Sequence, residues 1–223
     1  MTALRDDSTQ LREAVIATAR AMNASGINVN KSGNVSVRCA RGARAGFLLT
    51  PTGVPYERLE ADDITFVADD GRPIGRCEPS SEWRFHAAIY AARPEFDAIV
   101  HTHSPHATAL ACQRLGIPAF HYMVAVAGGD DIRCADYATF GTQALADNAV
   151  AALQDRRACL LAHHGVIACG ASLDTAFALA VEVEDLARTY VIVRSLGEPR
   201  LLDSAEMQRV LERFRTYGQA RPT

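Results

Sequence analysis

Only one of the 23 basic side chains in this 223-residue sequence, Lys31, is a lysine. It stands in the polar stretch Asn30-Lys31-Ser32-Gly33. Schiff-base catalysis needs an amine depressed by an apolar pocket, so it has no credible nucleophile here. A basic surplus is lacking too: 23 basic against 26 acidic residues give a net charge of −3, which argues against non-specific nucleic-acid binding. No apolar run approaches the ~20 residues of a membrane span. The N-terminus MTALRDDSTQ lacks the apolar core of a signal peptide, so a cytoplasmic location is expected. Six cysteines are scattered without a CxxC, which excludes a zinc ribbon and agrees with a reducing compartment. GxxxxGK[ST], a GxGxxG after a strand and GxSxG are all missing, disfavouring nucleotide binding and a nucleophile elbow.

What is present is ordinary globular composition, 48% hydrophobic and 22% charged, without repeats or linkers, and it is read as one domain over 1–223. Leu11, Val15, Ala19 and Met22 share a helical face that stops at Gly26. Val35, Val37 and Cys39 alternate as in a strand, and a turn over Arg41–Gly46 returns through Phe47-Leu48-Leu49. A helix is expected from the Ser80-Ser81-Glu82 region to about Ala92, before Pro94. Ala98 to His103 reads as a short strand, and Ser104-Pro105 as a helix start running to about Leu115. Pro118 to Val126 is expected to be extended. Leu145 to Leu153 is helical, Cys159 to Ala162 a buried strand, and Ser172 caps the longest helix, which closes at Gly197. Asp203 and Glu206 suggest a capping box for a last helix. The pattern predicts an α/β sandwich: a central, mostly antiparallel sheet with helices on both faces.

His101-Thr102-His103 is the sharpest chemical feature. Strand residues two apart point the same way, so both imidazoles reach one ion. Alone, the same pattern also arises from two half-exposed histidines at a strand end. His163-His164 closes a second buried strand. Adjacent residues face opposite ways, so one of the pair joins the cluster, and spacing does not decide which. Three nitrogens and an open position would make a catalytic metal site. His86, His106 and His121 read as helix-face or loop residues. Glu82 either steadies a helix N-terminus, worth about 0.3–1 kcal/mol, or moves protons beside a metal. Lys31-Ser32-Gly33-Asn34, Thr52-Gly53 and Ser80-Ser81 are small polar turns that admit an anion, though each alone is usually only a turn.

Seven segments, read together, resemble the class II aldolase/adducin family. They are Ser-Gly-Asn-Val-Ser-Val-Arg (32–38), Thr-Pro-Thr-Gly-Val-Pro-Tyr (50–56), Pro-Ser-Ser-Glu-Trp-Arg-Phe-His (79–86), Val-His-Thr-His (100–103), His-Tyr-Met (121–123), Tyr-Ala-Thr-Phe-Gly-Thr (137–142) and His-His-Gly (163–165). The likeness runs from about Leu11 to Gly218 and is nearest to the branch that cleaves L-fuculose 1-phosphate. It implies a zinc enzyme, with one zinc or another divalent transition metal per subunit, bound by His101, His103 and His164. It makes Glu82 the acid/base, able to touch the metal when substrate is absent. Gly33, Asn34, Thr52, Gly53, Ser80 and Ser81 would hold the substrate phosphate. Tyr122, from a neighbouring subunit, and Tyr217 would assist at the aldehyde end. The implied assembly is a homotetramer with sites at subunit interfaces. The implied reaction splits a ketose 1-phosphate, either L-fuculose 1-phosphate or a 5-deoxy- or 5-methylthio-pentulose 1-phosphate, into dihydroxyacetone phosphate and an aldehyde. Alternatives are a pentulose-phosphate 4-epimerase of the same fold and a non-catalytic adducin-like module, whose mark would be missing ligands. Two departures from the family pattern stand out: Lys31-Ser32 where glycine or threonine is usual, and a longer Arg41–Gly46 turn.

Overall fold

The computed structural model describes residues 4–216. Eight strands form one sheet: β1 (Asn34–Arg41), β2 (Arg44–Leu49), β3 (Thr65–Ala68), β4 (Pro73–Ile74), β5 (Ala98–Thr102), β6 (Arg133–Ala135), β7 (Ala158–Leu161) and β8 (Gly165–Gly170). Their order is β4-β3-β2-β1-β5-β8-β7-β6. Every neighbouring pair is antiparallel except β6 with β7. Helices α1 (Thr9–Ala24), α2 (Trp83–Ala92), α3 (Pro105–Cys112), α4 (Gln143–Ala152), α5 (Leu173–Leu196) and α6 (Ser204–Thr216) complete the described chain.

Alternation along the strands divides the apolar residues between two cores. Val35, Val37, Leu48, Val100 and Val166 face the layer built by α1, α3 and α5. Phe47, Leu49, Ile99 and Ile167 face α2 and α4, against Phe85, Ile89, Leu145 and Ala149. Both faces being covered, all five residues of β5 are buried. A strand with no solvent face is therefore what carries His101 into the interior. The expected sandwich, with helices on both faces of a mostly antiparallel sheet, is the observed fold.

Three local expectations need correcting. The strands run further into the Arg41–Gly46 segment than expected: Arg41 pairs with Arg44, and the turn is Gly42-Ala43 alone. Gly42 takes φ +62°, the left-handed geometry that a two-residue hairpin turn requires. The segment expected to be extended over Pro118–Val126 instead contains a 3-10 helix, Tyr122–Ala127. It buries Val124, Ala125 and Ala127 on one side, and His121 accepts from the Met123 N–H. Helix α3 stops at Cys112, before Leu115, because Arg114 turns left-handed at φ +55°. The cap inferred for α5 is present, as Ser172 with Thr175. At α6, Asp203 accepts from the Glu206 N–H at 2.8 Å, but the Glu206 carboxylate pairs with Arg209, so the expected box is only half formed.

Candidate metal and catalytic site

The site forms where β5, the β7–β8 hairpin, the start of α2 and the start of β1 converge. His101, at the end of β5, is fully buried. Its Nδ1 lies 2.8 Å from the Val166 carbonyl oxygen. A carbonyl only accepts, so Nδ1 carries the hydrogen and Nε2 presents a bare lone pair to the cluster. His103, just past the strand, brings its Nε2 to 3.1 Å from His101 Nε2.

The hairpin settles which of the paired histidines joins them. Leu161 pairs with Gly165, leaving Ala162, His163 and His164 as the loop. His163 takes φ +55°, unusual for a side-chain-bearing residue, and the chain reverses there. His164 then points to the cluster, while His163 meets Arg114 Nε at 3.3 Å and the Tyr137 ring. The ligating nitrogens of His101, His103 and His164 all lie within 4.8 Å of one another. Gly165 makes this possible: a Cβ there would lie 2.3 Å from the Thr102 carbonyl oxygen and 3.0 Å from the His103 ring.

Glu82 occupies the N-cap position of α2, whose first residue is Trp83. The helix thus starts two residues later than Ser81, and Ser80-Ser81 form the turn leading into it. Glu82 is buried, with Oε2 3.2 Å from His101 Nε2 and Oε1 3.1 Å from His164 Nε2. Burial by itself would raise its pKa. The proximity of the His101 and His164 rings outweighs that and holds the carboxyl well below the usual carboxylate range. Burial lowers His103 to about 3, and the adjacent His101 and His164 rings reinforce the shift, so the ring stays neutral, as a ligand must be. Glu82 Oε1, although 3.1 Å from His164 Nε2, makes no hydrogen bond among the described residues. A buried orphan carboxylate oxygen beside converging imidazole nitrogens is the deficit a divalent cation would satisfy. The donor set, nitrogen with one oxygen nearby, suits zinc and other late first-row ions.

The other expected residues fall into two groups. Asn34 Nδ2 donates to Glu82 Oε2 at 2.9 Å and to Ser80 Oγ at 3.1 Å. Gly33 lies against the His101 backbone, where a Cβ would come 2.2 Å from the carbonyl oxygen. Ser81 lines a cavity of about 270 Å³ with Ser32, Glu82, His103, Tyr137, Phe140 and His164 among its walls. Thr52 and Gly53 sit on the neighbouring turn, tied in by the Thr52 N–H to Glu78 (3.1 Å) and by Lys31 Nζ to the Gly53 carbonyl (2.8 Å). Tyr122 is 49% exposed and stacks towards Phe214 on α6, away from this cavity. Tyr217 lies outside the described residues. Sequence reasoning missed Tyr137 and Phe140 as walls of the cavity, and His86 behind Glu82. Glu82 and His86 are four apart on a helix, and that spacing was the available signal.

Residues 13–191 match the family described as "Class II Aldolase and Adducin N-terminal domain". The chain is 51% identical over 208 residues to the 5-methylthioribulose-1-phosphate/5-deoxyribulose-1-phosphate aldolase of Rhodospirillum rubrum, covering 93% of this chain and 92% of that one. It is 45% identical over 213 residues to the L-fuculose phosphate aldolase of Escherichia coli K12, covering 95% and 97%. A solved L-fuculose 1-phosphate aldolase superposes with a TM-score of 0.89 at 38% identity, covering 93% of this chain and 97% of that one. The chain belongs to the class II aldolase/adducin family. No helix among the described residues is long and apolar enough to cross a membrane.

Proposed function

We propose that this protein is a zinc-dependent aldolase that reversibly cleaves a ketose 1-phosphate to dihydroxyacetone phosphate and an aldehyde. The substrate is L-fuculose 1-phosphate or a related 5-deoxy- or 5-methylthio-pentulose 1-phosphate, the types after which its relatives are named. The observation that carries the reading is the buried carboxylate of Glu82, set 3.2 Å from His101 and 3.1 Å from His164 on the wall of a cavity of about 270 Å³. An ionised base held beside a three-histidine cluster is the equipment for moving a carbon-bound proton.

His101, His103 and His164 hold one metal per subunit, and Glu82 reaches it when substrate is absent. When bound, the zinc supplies a Lewis acid for the negative charge that develops on the substrate oxygens. Glu82 takes and returns the proton on the carbon of the three-carbon fragment. Gly33, Asn34, Thr52, Gly53, Ser80 and Ser81 hold the phosphate. Supporting this, the Ser80 hydroxyl accepts from Asn34 at 3.1 Å and from the Glu82 N–H at 3.3 Å, which leaves its own hydrogen for an anion. Tyr122 of a neighbouring copy exchanges a proton with the aldehyde oxygen, helped by Tyr217. The exposure of Tyr122 and its place outside the lining of its own cavity support a role across an interface in a homotetramer. A non-catalytic adducin-like module has no use for a complete ligand set with a buried base.

The test is to supply the zinc-loaded protein with L-fuculose 1-phosphate and 5-deoxyribulose 1-phosphate and to follow dihydroxyacetone phosphate. Release is expected from at least one, abolished by chelator and restored by zinc. A coupled reductase that traps free aldehyde separates cleavage from 4-epimerisation. Absence of dihydroxyacetone phosphate with both sugars would overturn the reading.

A further inference from the structure

Behind Glu82, α2 carries a polar row that the reaction above does not use. Glu82, His86 and Tyr90 recur every four residues, so they share the face of α2 turned to the sheet. His86 is fully buried, with its ring stacked on Phe85 at 4.5 Å. Asn34 and Ser36, two apart on β1 and therefore on one side of the sheet, meet it. His86 Nε2 is 2.5 Å from Asn34 Oδ1, and His86 Nδ1 is 2.7 Å from Ser36 Oγ. Ser36 Oγ is in turn 2.8 Å from the Tyr90 hydroxyl.

Counting hydrogens fixes the direction of every link. Asn34 Nδ2 donates to both Glu82 Oε2 and Ser80 Oγ, so Asn34 Oδ1 is the atom that faces His86. That oxygen accepts, so His86 Nε2 carries the hydrogen. Burial keeps the ring neutral, with its pKa lowered to about 3, so Nδ1 is bare and accepts the Ser36 hydrogen. Ser36 has no second hydrogen to give, so Tyr90, whose hydroxyl also lies 3.5 Å from the Asp97 carbonyl oxygen, donates to Ser36 at the shorter distance of 2.8 Å. The reverse tautomer would press two acceptors together at Nε2 and Oδ1 in a site without water access.

We propose that Tyr90, Ser36 and His86 form a one-way donor chain that locks the Asn34 amide with its NH2 towards Glu82 and Ser80, making His86 a positioning residue for both. The catalytic part of this inference rests on the function proposed above, and the tautomer part does not. The anchor of the chain is braced in turn: the Arg38 guanidinium packs on the Tyr90 ring at 4.7 Å and donates to the Tyr90 carbonyl. Asn34 is thereby oriented from behind, before any phosphate arrives.

The first measurement uses the zinc-loaded wild-type protein. Nitrogen NMR near neutral pH is expected to show one imidazole with a protonated Nε2 and a bare Nδ1 whose bare-nitrogen signal alone moves in Ser36→Ala. A protonated Nδ1 on that ring overturns the proposal whatever the activity of the protein, so the failure of this inference and of the aldolase reading are distinguishable. The second uses His86→Leu and His86→Gln. Loss of a supporting partner behind a metal site typically costs 10–100-fold. His86→Leu is expected to weaken inorganic phosphate binding and to lower kcat/KM by about that factor, with zinc content unchanged. His86→Gln, which keeps a donor for Asn34, is expected to recover most of the loss. Equal losses in the two variants, or none in His86→Leu, would overturn the positioning role.

Discussion

Asn34 on β1 stands directly opposite His101 on β5 in the antiparallel register. Their side chains meet again at Glu82 Oε2, Asn34 at 2.9 Å and His101 at 3.2 Å. One strand pairing thus sets the distance between the amide that steadies Glu82 and an imidazole of the three-histidine cluster. Replacing Asn34 by aspartate would put a second carboxylate within hydrogen-bonding range of the first in a buried site, where like charges are costly. Asn34→Asp is expected to lower kcat/KM by more than about 100-fold, and Asn34→Ala by about 10-fold, on the scale of losing one charge-assisted hydrogen bond. Steady-state kinetics with zinc analysis of each variant checks the ranking.

Glu82→Gln separates the base from the metal. The three imidazoles remain, so zinc should stay near one per subunit. Turnover is expected to fall by roughly 10²–10⁴-fold, the range attributed to a positioned general base. Near-wild-type cleavage would remove Glu82 from the mechanism. Loss of zinc together with activity would instead make its carboxylate a structural ligand.

Gly165 opens β8 beside the end of β5, where Thr102 pairs with Val166. A methyl group there would stand 2.3 Å from the Thr102 carbonyl oxygen, and neither backbone has freedom to retreat inside a covered sheet. Overpacking of this kind costs about 1–3 kcal/mol or more. Gly165→Ala is expected to lower the melting temperature and to bind zinc weakly, both measurable on the purified variant.

The lone lysine offers a clean discrimination. Lys31 Nζ rests 2.8 Å from the Gly53 carbonyl at the exposed rim of the site. Lys31→Met is expected to raise KM for a phosphorylated sugar by no more than about fivefold, the scale of an exposed charge interaction, and to leave kcat unchanged. Borohydride treatment in the presence of substrate should not inactivate the wild-type protein. Inactivation that disappears in Lys31→Met would establish a Schiff base and refute the metal mechanism.

The three-histidine cluster was the most legible part of the candidate site because much of its geometry is local. A strand repeat of two puts His101 and His103 on one side whatever the rest of the chain does. The choice between His163 and His164 was not local, since it depends on a left-handed residue inside a three-residue hairpin loop. His101 alone gives no sign that its Nδ1 will be claimed by Val166, 65 residues away. Likewise His86 looks like a helix-face histidine until β1 delivers Asn34 and Ser36 to it, because its partners lie 52 and 50 residues off. The hairpin turn and the 3-10 segment at Tyr122 were misjudged for a different reason. Glycine and arginine around position 42 suggest a loop, yet pairing with β2 on one side and the Ala40 N–H to Arg5 carbonyl bond on the other extend the strand up to Arg41.

His86 also gives the folded protein a signature in acid. Its ring ordinarily titrates near 6.5, whereas burial in the fold, with the nearby His101 adding to the effect, lowers it to about 3. Above about pH 6.5 both folded and unfolded chains hold it neutral, and it adds no pH dependence. Between the two values the unfolded chain takes up a proton that the folded chain refuses. Stability is therefore lost as pH falls through this window, at about 1.4 kcal/mol per pH unit from this one ring. From pH 7 to 5 that amounts to roughly 2 kcal/mol, added to whatever other groups contribute. Urea denaturation of the metal-free protein at a series of pH values measures the slope. In His86→Phe the proton uptake on unfolding between pH 6 and 4 is expected to fall by about one. An unchanged slope would mean that the ring already accepts a proton in the folded state. The hydrogen count at Ser36 and Asn34 would then be wrong, since a doubly protonated imidazole has no acceptor for the Ser36 hydroxyl.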